Sequence, residues 1–185
     1  MTRYLLKTVD KDGNAYGDFR WPLEPGSIVT CPDWNPAPRC GGGLHGALDG
    51  EGDGSLFKWQ TDAVWIAAEI PDDAQVVDLG GKVKVDRCVV RCSGDRDVVT
   101  AWLRERLPHA AIIGGTATAG YDGTATAGYG GTATAGDGGT IVIKWWDGSR
   151  YRLAVGYVSE DGIEPNVPYR VDGAGKLVRA DGGGA

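Results

Sequence analysis

The stretch "GGTATAGYDGTATAGYGGTATAGDGGT", residues 114–140, decides how this chain is read. Its unit, Gly-Thr-Ala-Thr-Ala-Gly-Tyr-(Asp/Gly), begins at Gly115, Gly123 and Gly131, with Asp137 in the tyrosine position of the third copy. A flexible linker, an ice-binding face and a folded scaffold are the competing identities. Gly-rich linkers are flexible because nothing in them packs, whereas regular Thr/Ala alternation suits strands, which turn successive side chains to opposite faces. Eight extended residues, at roughly 3.3 Å each, leave no room for two corners and an interior. Two octets do, so the tract predicts 16-residue coils with two short strands and two Gly-rich corners. Ala117, Ala125 and Ala133 then fill a narrow interior. Thr116, Thr118, Thr124, Thr126, Thr132 and Thr134 point outward in rows, with Tyr121 and Tyr129 at corners. A fourth octet, "GTIVIKWW" (139–146), keeps the register but replaces Ala with Ile, as a hydrophobic strand capping an open stack would.

The octet "AGYGGTAT" (127–134) resembles the repeat of bacterial ice-nucleation proteins, Ala-Gly-Tyr-Gly-Ser-Thr-x-Thr, departing only at Gly131, where that repeat has Ser. The resemblance implies a β-solenoid with outward Thr-x-Thr rows. Those proteins use dozens of coils. Two coils give a patch only about 10 Å along the stack, too small for an ice-ordering surface. The threonines, with Tyr121 and Tyr129, are therefore candidate binding residues, and the tract reads first as scaffold.

Around it, "RYLLK" (3–7) predicts a first strand, and the stretch from Phe19 to Leu48 alternates Pro and Gly breakers with isolated aromatics. Trp21, Ile28, Val29 and Trp34 are too apolar to be left in water. "VWIAAEI" (64–70) is a strand, and residues 74–92 read as two strands about Gly80-Gly81. There Val83 and Val85 alternate with Lys84 and Asp86 to give one dry and one wet face. "SGDRDVVTAWLRERLP" (93–108) predicts a helix capped by Ser93 or Asp95, with Val98, Val99, Trp102 and Leu103 in an apolar stripe and Pro108 as terminator. "TIVIKWW", "RYRLAVGYV" and "YRV" are further strands, joined by the Asp-Gly turns at 147–148 and 161–162. The fold class is mainly β (α+β): a mixed module over 1–108, a short two-sided β-solenoid over 109–144, a β cap over 145–180 and a flexible tail over 181–185. The sequence from "CGGGLHG" through the octets to "WWDGSRYRLAVGYVSEDGI" also resembles an uncharacterised family of bacteriophage and prophage proteins, a likeness that implies no activity.

Composition narrows the function. A net charge of −6 argues against general binding of nucleic acid. No apolar run approaches the roughly 18–20 residues of a membrane span, and the N-terminal stretch lacks a signal-peptide core, so a cytoplasmic location is expected. Four cysteines in that setting are expected as thiols or ligands rather than disulfides.

"CGGGLHG" (40–46) is the strongest chemical candidate, since its glycines allow close backbone approach and His45 can titrate, ligate or catalyse. It lacks the phosphate-loop Lys-Ser/Thr and the dinucleotide Gly-x-Gly-x-x-Gly pattern. His45 with Glu69, or with Asp33 or Asp49, would form an acid/base pair, an arrangement similar at best to ADP-ribosyltransferases; Glu69 also reads as a solvated strand end. Cys31, Cys40, His45 and Cys88 are weak metal-ligand candidates without a Cys-x-x-Cys pair. Cys92 cannot join Cys88, about 13 Å away on one strand. No cofactor is expected. The chain reads as a non-enzymatic accessory protein that binds a protein partner or itself, with an enzyme or ligand-binding module at His45 and ice binding as alternatives.

Overall fold

The computed structural model describes residues 2–16 and 19–182, and within them the protein is mainly β with a single α-helix. Residues 183–185 of the expected tail lie outside the described residues. Chain contacts divide into two units, Met1–Arg106 and Leu107–Ala185.

In the first unit the strands are β1 (Arg3–Val9), β2 (Ile28–Thr30), β3 (Leu44–Leu48), β4 (Val64–Ile70), β5 (Val76–Asp78), β6 (Val83–Val85) and β7 (Arg87–Gly94). They form one seven-stranded sheet in the order β2-β7-β4-β1-β3-β6-β5, antiparallel at every pairing. Leu5, Val9, Trp21, Ile66, Val85 and Val90 are among the buried side chains of its core. The one helix, α1 (Arg96–Arg106), packs on β4 and β7. The carbonyl of Asp95 accepts the first helical bond from the Val99 amide, whereas Ser93 lies within β7 and donates its hydroxyl to the Leu23 carbonyl. Asp95 is therefore the cap.

Four sequence expectations change here. Residues 74–92 contribute to three strands, because pairing breaks at Asp86, whose carbonyl accepts from the Cys31 amide: Val83–Val85 pair with β3 and β5, and the chain beyond pairs with β2 and β4. The irregular region between Phe19 and Leu48 carries β2 and β3, both too short for a periodicity signal. Ile28 is 72% exposed because β2 is an edge strand with only its middle residue turned inward. Val98 is exposed too, and the helix buries Val99, Thr100 and Leu103 instead. Three residues cover the contact that one turn of helix can make, and Val98 falls outside that arc.

The second unit contains β8 (Thr116–Ala119), β9 (Thr124–Ala127), β10 (Thr132–Ala135), β11 (Thr140–Trp146), β12 (Tyr151–Tyr157), β13 (Tyr169–Val171) and β14 (Leu177–Arg179). β10 pairs parallel with β8, placing Thr132 opposite Thr116, and β11 pairs parallel with β9, placing Thr140 opposite Thr124. Both registers are offset by sixteen residues (132 − 116; 140 − 124). The sheets run β14-β13-β10-β8 and β12-β11-β9, each continued by antiparallel strands beyond the octets. Ala117, Ala125, Ala127, Ala133 and Ala135 are buried, joined by Ile141, Ile143, Ile163 and Tyr169. Small alanines bring the two sheets close; isoleucines widen the core where β12 and β13 close it. At the corners the amides of Thr132 and Thr140 donate to the carbonyls of Gly115 and Gly123. A Cβ on Gly131 would stand 2.5 Å from the Gly115 carbonyl oxygen, so this corner admits no side chain.

Candidate functional site

Two places carry the residues singled out by sequence. In the first unit, a cavity of about 550 Å³ opens among β1, β3, residues 15–16 and 19–21, and the loops at 31–43 and 53–57. His45 lines it, with Cys31, Asp33, Cys40, Lys7 and Lys82. Antiparallel pairing sets His45 directly opposite Lys84.

Lys84 was expected on a wet face, yet it is fully buried. Its ammonium donates to the carbonyls of Arg39 (2.9 Å) and Gly41 (3.1 Å) and lies 5.7 Å from the centre of the Trp34 ring. The Gly-rich loop thus approaches closely, as its composition suggested, but what it wraps is the chain's own lysine. A Cβ on Gly43 would sit 2.7 Å from the Lys84 Cβ, so Gly43 leaves room for the lysine stem. Alternation misses Lys84 because it has no term for backbone carbonyls that can replace water around a cation.

His45 is half-buried, and its pKa is lowered by burial and then by Lys82, Lys7 and Lys84, against a hydrogen bond to the Gly43 backbone. Its Nε2 is buried with no partner. Burial and the neighbouring lysines thus favour the neutral imidazole. The Cys31 thiol donates to Asp33 Oδ1 (3.2 Å), and burial, followed by that bond, pushes its pKa up. A thiol held protonated is a poor nucleophile. Both shifts favour the uncharged forms of the two groups.

The other candidates lie elsewhere. Glu69 is not among the cavity residues; its carboxylate takes the Arg91 guanidinium at 3.0 Å. Asp49 accepts the Tyr4 amide through Oδ1 and so terminates a strand pairing. Cys88 is buried in the sheet core, where burial drives its thiol up to about 12, while Cys40 is exposed. Among the described residues no three His, Cys, Asp or Glu side chains are grouped to hold a metal ion. The proposed ligand set of Cys31, Cys40, His45 and Cys88 is not brought together, since a core strand turns Cys88 away from the loop.

Lys7 gives the cavity a pH signature. Burial, then Lys82 and Lys58, lowers its pKa from 10.5 to about 8. Between these values the unfolded chain holds the proton that the folded chain has released, so this group adds stability as pH rises. Lys7→Met should stabilise the first unit at pH 7, and its margin over wild type should vanish by about pH 10.5. Cys88 acts in the opposite direction above pH 9 but cancels between the two proteins. Urea midpoints measured across that range check the sign.

The second place is the outer surface of the octets. On the β8–β10 sheet, Thr116 stands beside Thr132 and Thr118 beside Thr134, with the first of each pair exposed and the second half-buried. On the β9–β11–β12 sheet the rows change character: Thr124 pairs with Thr140, which pairs in turn with Tyr157, whereas Thr126 pairs with Val142 and Val142 with Val155. Tyr121 is 75% exposed, and Tyr129 is half-buried, edge-on to Tyr151. From sequence, Trp145, Trp146, Tyr151 and Tyr157 read either as a binding surface or as a cap core, because the alternation of β12 fits a core face and a surface face equally well.

Fold and surface together define a repeat-containing, mainly β protein. Over 87 residues, 46% of its length, the chain is 32% identical to ice nucleation protein InaU of Pantoea ananas. It has the same identity over 87 residues to an ice nucleation protein of Enterobacter agglomerans. These matches cover only 8% and 7% of the relatives' own lengths. They support ice-nucleation-like repeats in this chain. No family model matches it, and no solved structure matches it. Among the described residues no helix is long and apolar enough to cross a membrane.

Proposed function

We propose that this chain is a non-enzymatic interaction protein whose second unit is a two-turn β-solenoid, and that copies associate through the outer face of β9, β11 and β12. Parallel pairing of octets sixteen residues apart, around an alanine interior, supports the solenoid. One observation carries the interaction: Leu153, Val155 and Tyr157 form a single exposed row, at 64%, 49% and 55%. Scattered exposed apolar residues are ordinary, but contiguous rows mark contact surfaces. Val142 and Trp146 extend the row on β11, and the one charge among these neighbours is Lys144. A flat apolar face complements a copy of itself about a two-fold axis. Its small extent implies a weak dimer, below the roughly 1,200 Å² of stable complexes.

Sedimentation from about 10 µM to 1 mM should therefore show concentration-dependent dimerisation. Leu153→Lys/Tyr157→Lys should stay monomeric with an unchanged melting temperature. A wild-type protein that remains monomeric throughout, or a variant that dimerises equally, would overturn the proposal.

A second reading, ice or ordered-water binding, is favoured by the ice nucleation relatives and by the block of Thr116, Thr118, Thr132 and Thr134. This block spans only two rungs, about 5 Å apart. Thermal hysteresis that disappears in Thr116→Lys/Thr118→Lys would establish it; its absence at millimolar protein would remove it. A bacteriophage or prophage accessory role rests on the likeness of whole-chain layout alone.

A further inference from the structure

The first unit's cavity is unexplained by an interaction surface on the second. We propose that it binds a small organic anion with an apolar body, whose carboxylate or phosphate head group is held by Lys7, Lys82 and His45. About 550 Å³ falls within the range of small-ligand sites. Leu6, Phe19, Trp21, Leu44 and Phe57 supply an apolar wall.

Lysines gather at the polar end. Lys7 and Lys82 line the cavity, Lys58 acts on Lys7 from nearby with its ammonium over the Tyr16 ring, and Lys84 is fixed behind the Gly-rich loop. Two carboxylates also line the cavity and keep their charge, each accepting hydrogen bonds from neighbours of its own. Asp33 takes the Cys31 thiol, and Asp53 takes the amide and hydroxyl of Ser55. Lys7 and Lys82 form no ion pair among the described residues. Crowded cations partly removed from water are costly unless an anion offsets them.

His45 is the second, independent sign. Its Nε2 is a buried nitrogen without a partner, on a ring that lines the cavity. An arriving anion opposes the lysines' share in lowering the ring's pKa, so the ring takes up a proton from solvent and, on turning Nε2 toward the cavity, donates to the head group. Apolar walls at one end and lysines at the other select an amphipathic anion over inorganic phosphate.

Calorimetric titration of the full chain with benzoate, phenyl phosphate, benzamide and benzylamine tests this. At least one of the two anions should bind in the millimolar range or tighter, and their ranking separates a carboxylate from a phosphate site. Benzamide and benzylamine should bind at least about tenfold more weakly. The ring-proton NMR signals of His45 should move toward their imidazolium positions on anion addition, with exposed His109 as internal control. Lys7→Met and Lys82→Met should each weaken the anion at least about tenfold. Equal binding of the neutral amide, no anion binding up to about 10 mM, or an unmoved His45 would each overturn the assignment. The wild-type comparison does not depend on how any variant folds.

Discussion

Ala133→Asp should unfold the second unit. Ala133 is fully buried, stacked beside Ala117 and paired across the sheet with Tyr169. A carboxylate there finds no donor to spare, because the neighbouring side chains are alanines, isoleucines and Tyr169, whose hydroxyl already donates to the Gly162 carbonyl. An uncompensated buried charge, added to overpacking between sheets spaced for alanine, costs more than about 4 kcal/mol. That is a large share of the roughly 5–15 kcal/mol by which domains are stable. Thr118→Asp, one residue from the buried Ala117 on an exposed position, should change stability by less than about 0.5 kcal/mol. Chymotrypsin cleavage after Tyr121 and Tyr129 reads the difference. Rapid cleavage is expected in Ala133→Asp and wild-type resistance in Thr118→Asp. Equal resistance would mean that the alanines do not form the interior.

Lys84→Ala should cost the first unit about 3–5 kcal/mol, comparable to truncating a fully buried Met or Leu. The loss has two parts: a four-carbon stem packed under Gly43, and an ammonium bonded to two carbonyls. Lys84→Met separates them. It keeps most of the stem and relieves the desolvation of a charge, while the Arg39 and Gly41 carbonyls, on exposed residues, return to water. Global stability should then fall by less than about 2 kcal/mol. The loop itself should loosen, because nothing else ties those carbonyls down. Trypsin cleavage at exposed Arg39 should accelerate in Lys84→Met well beyond any change in denaturation midpoint. Unchanged cleavage would show that the lysine does not anchor the loop.

The two variants mark where local pattern sufficed and where it did not. For the octets, a strict repeat places every copy in nearly the same environment, so one correct alternation assigns burial to all of them. Ala117, Ala125 and Ala133 are inside for one reason, repeated. Around Lys84 no repetition helps. The same period-two rule assigns it to water, and only the approach of residues 39–43, distant in sequence, makes burial tolerable. The candidate site was legible to the extent that His45 and Cys31 line one cavity. Lys7 and Lys82 were not legible, since β1 reads as an ordinary strand and Lys82 as part of a turn. Neither Glu69, which also reads as a solvated strand end, nor Cys88 lines that cavity, because residue type carries no information about which side of a sheet faces a distant loop.

By itself, then, the sequence determined the octet register, the alanine interior and the extents of β4 and β11, because each follows from periodicity within one segment. Tertiary structure alone decided that Lys84 is buried, that lysines crowd against His45, and that the face begun by Thr124 and Thr126 becomes aliphatic and aromatic on β12. These depend on which segments meet. Pairing partners are set by free energies summed over the whole sheet, and no single stretch of chain encodes that sum.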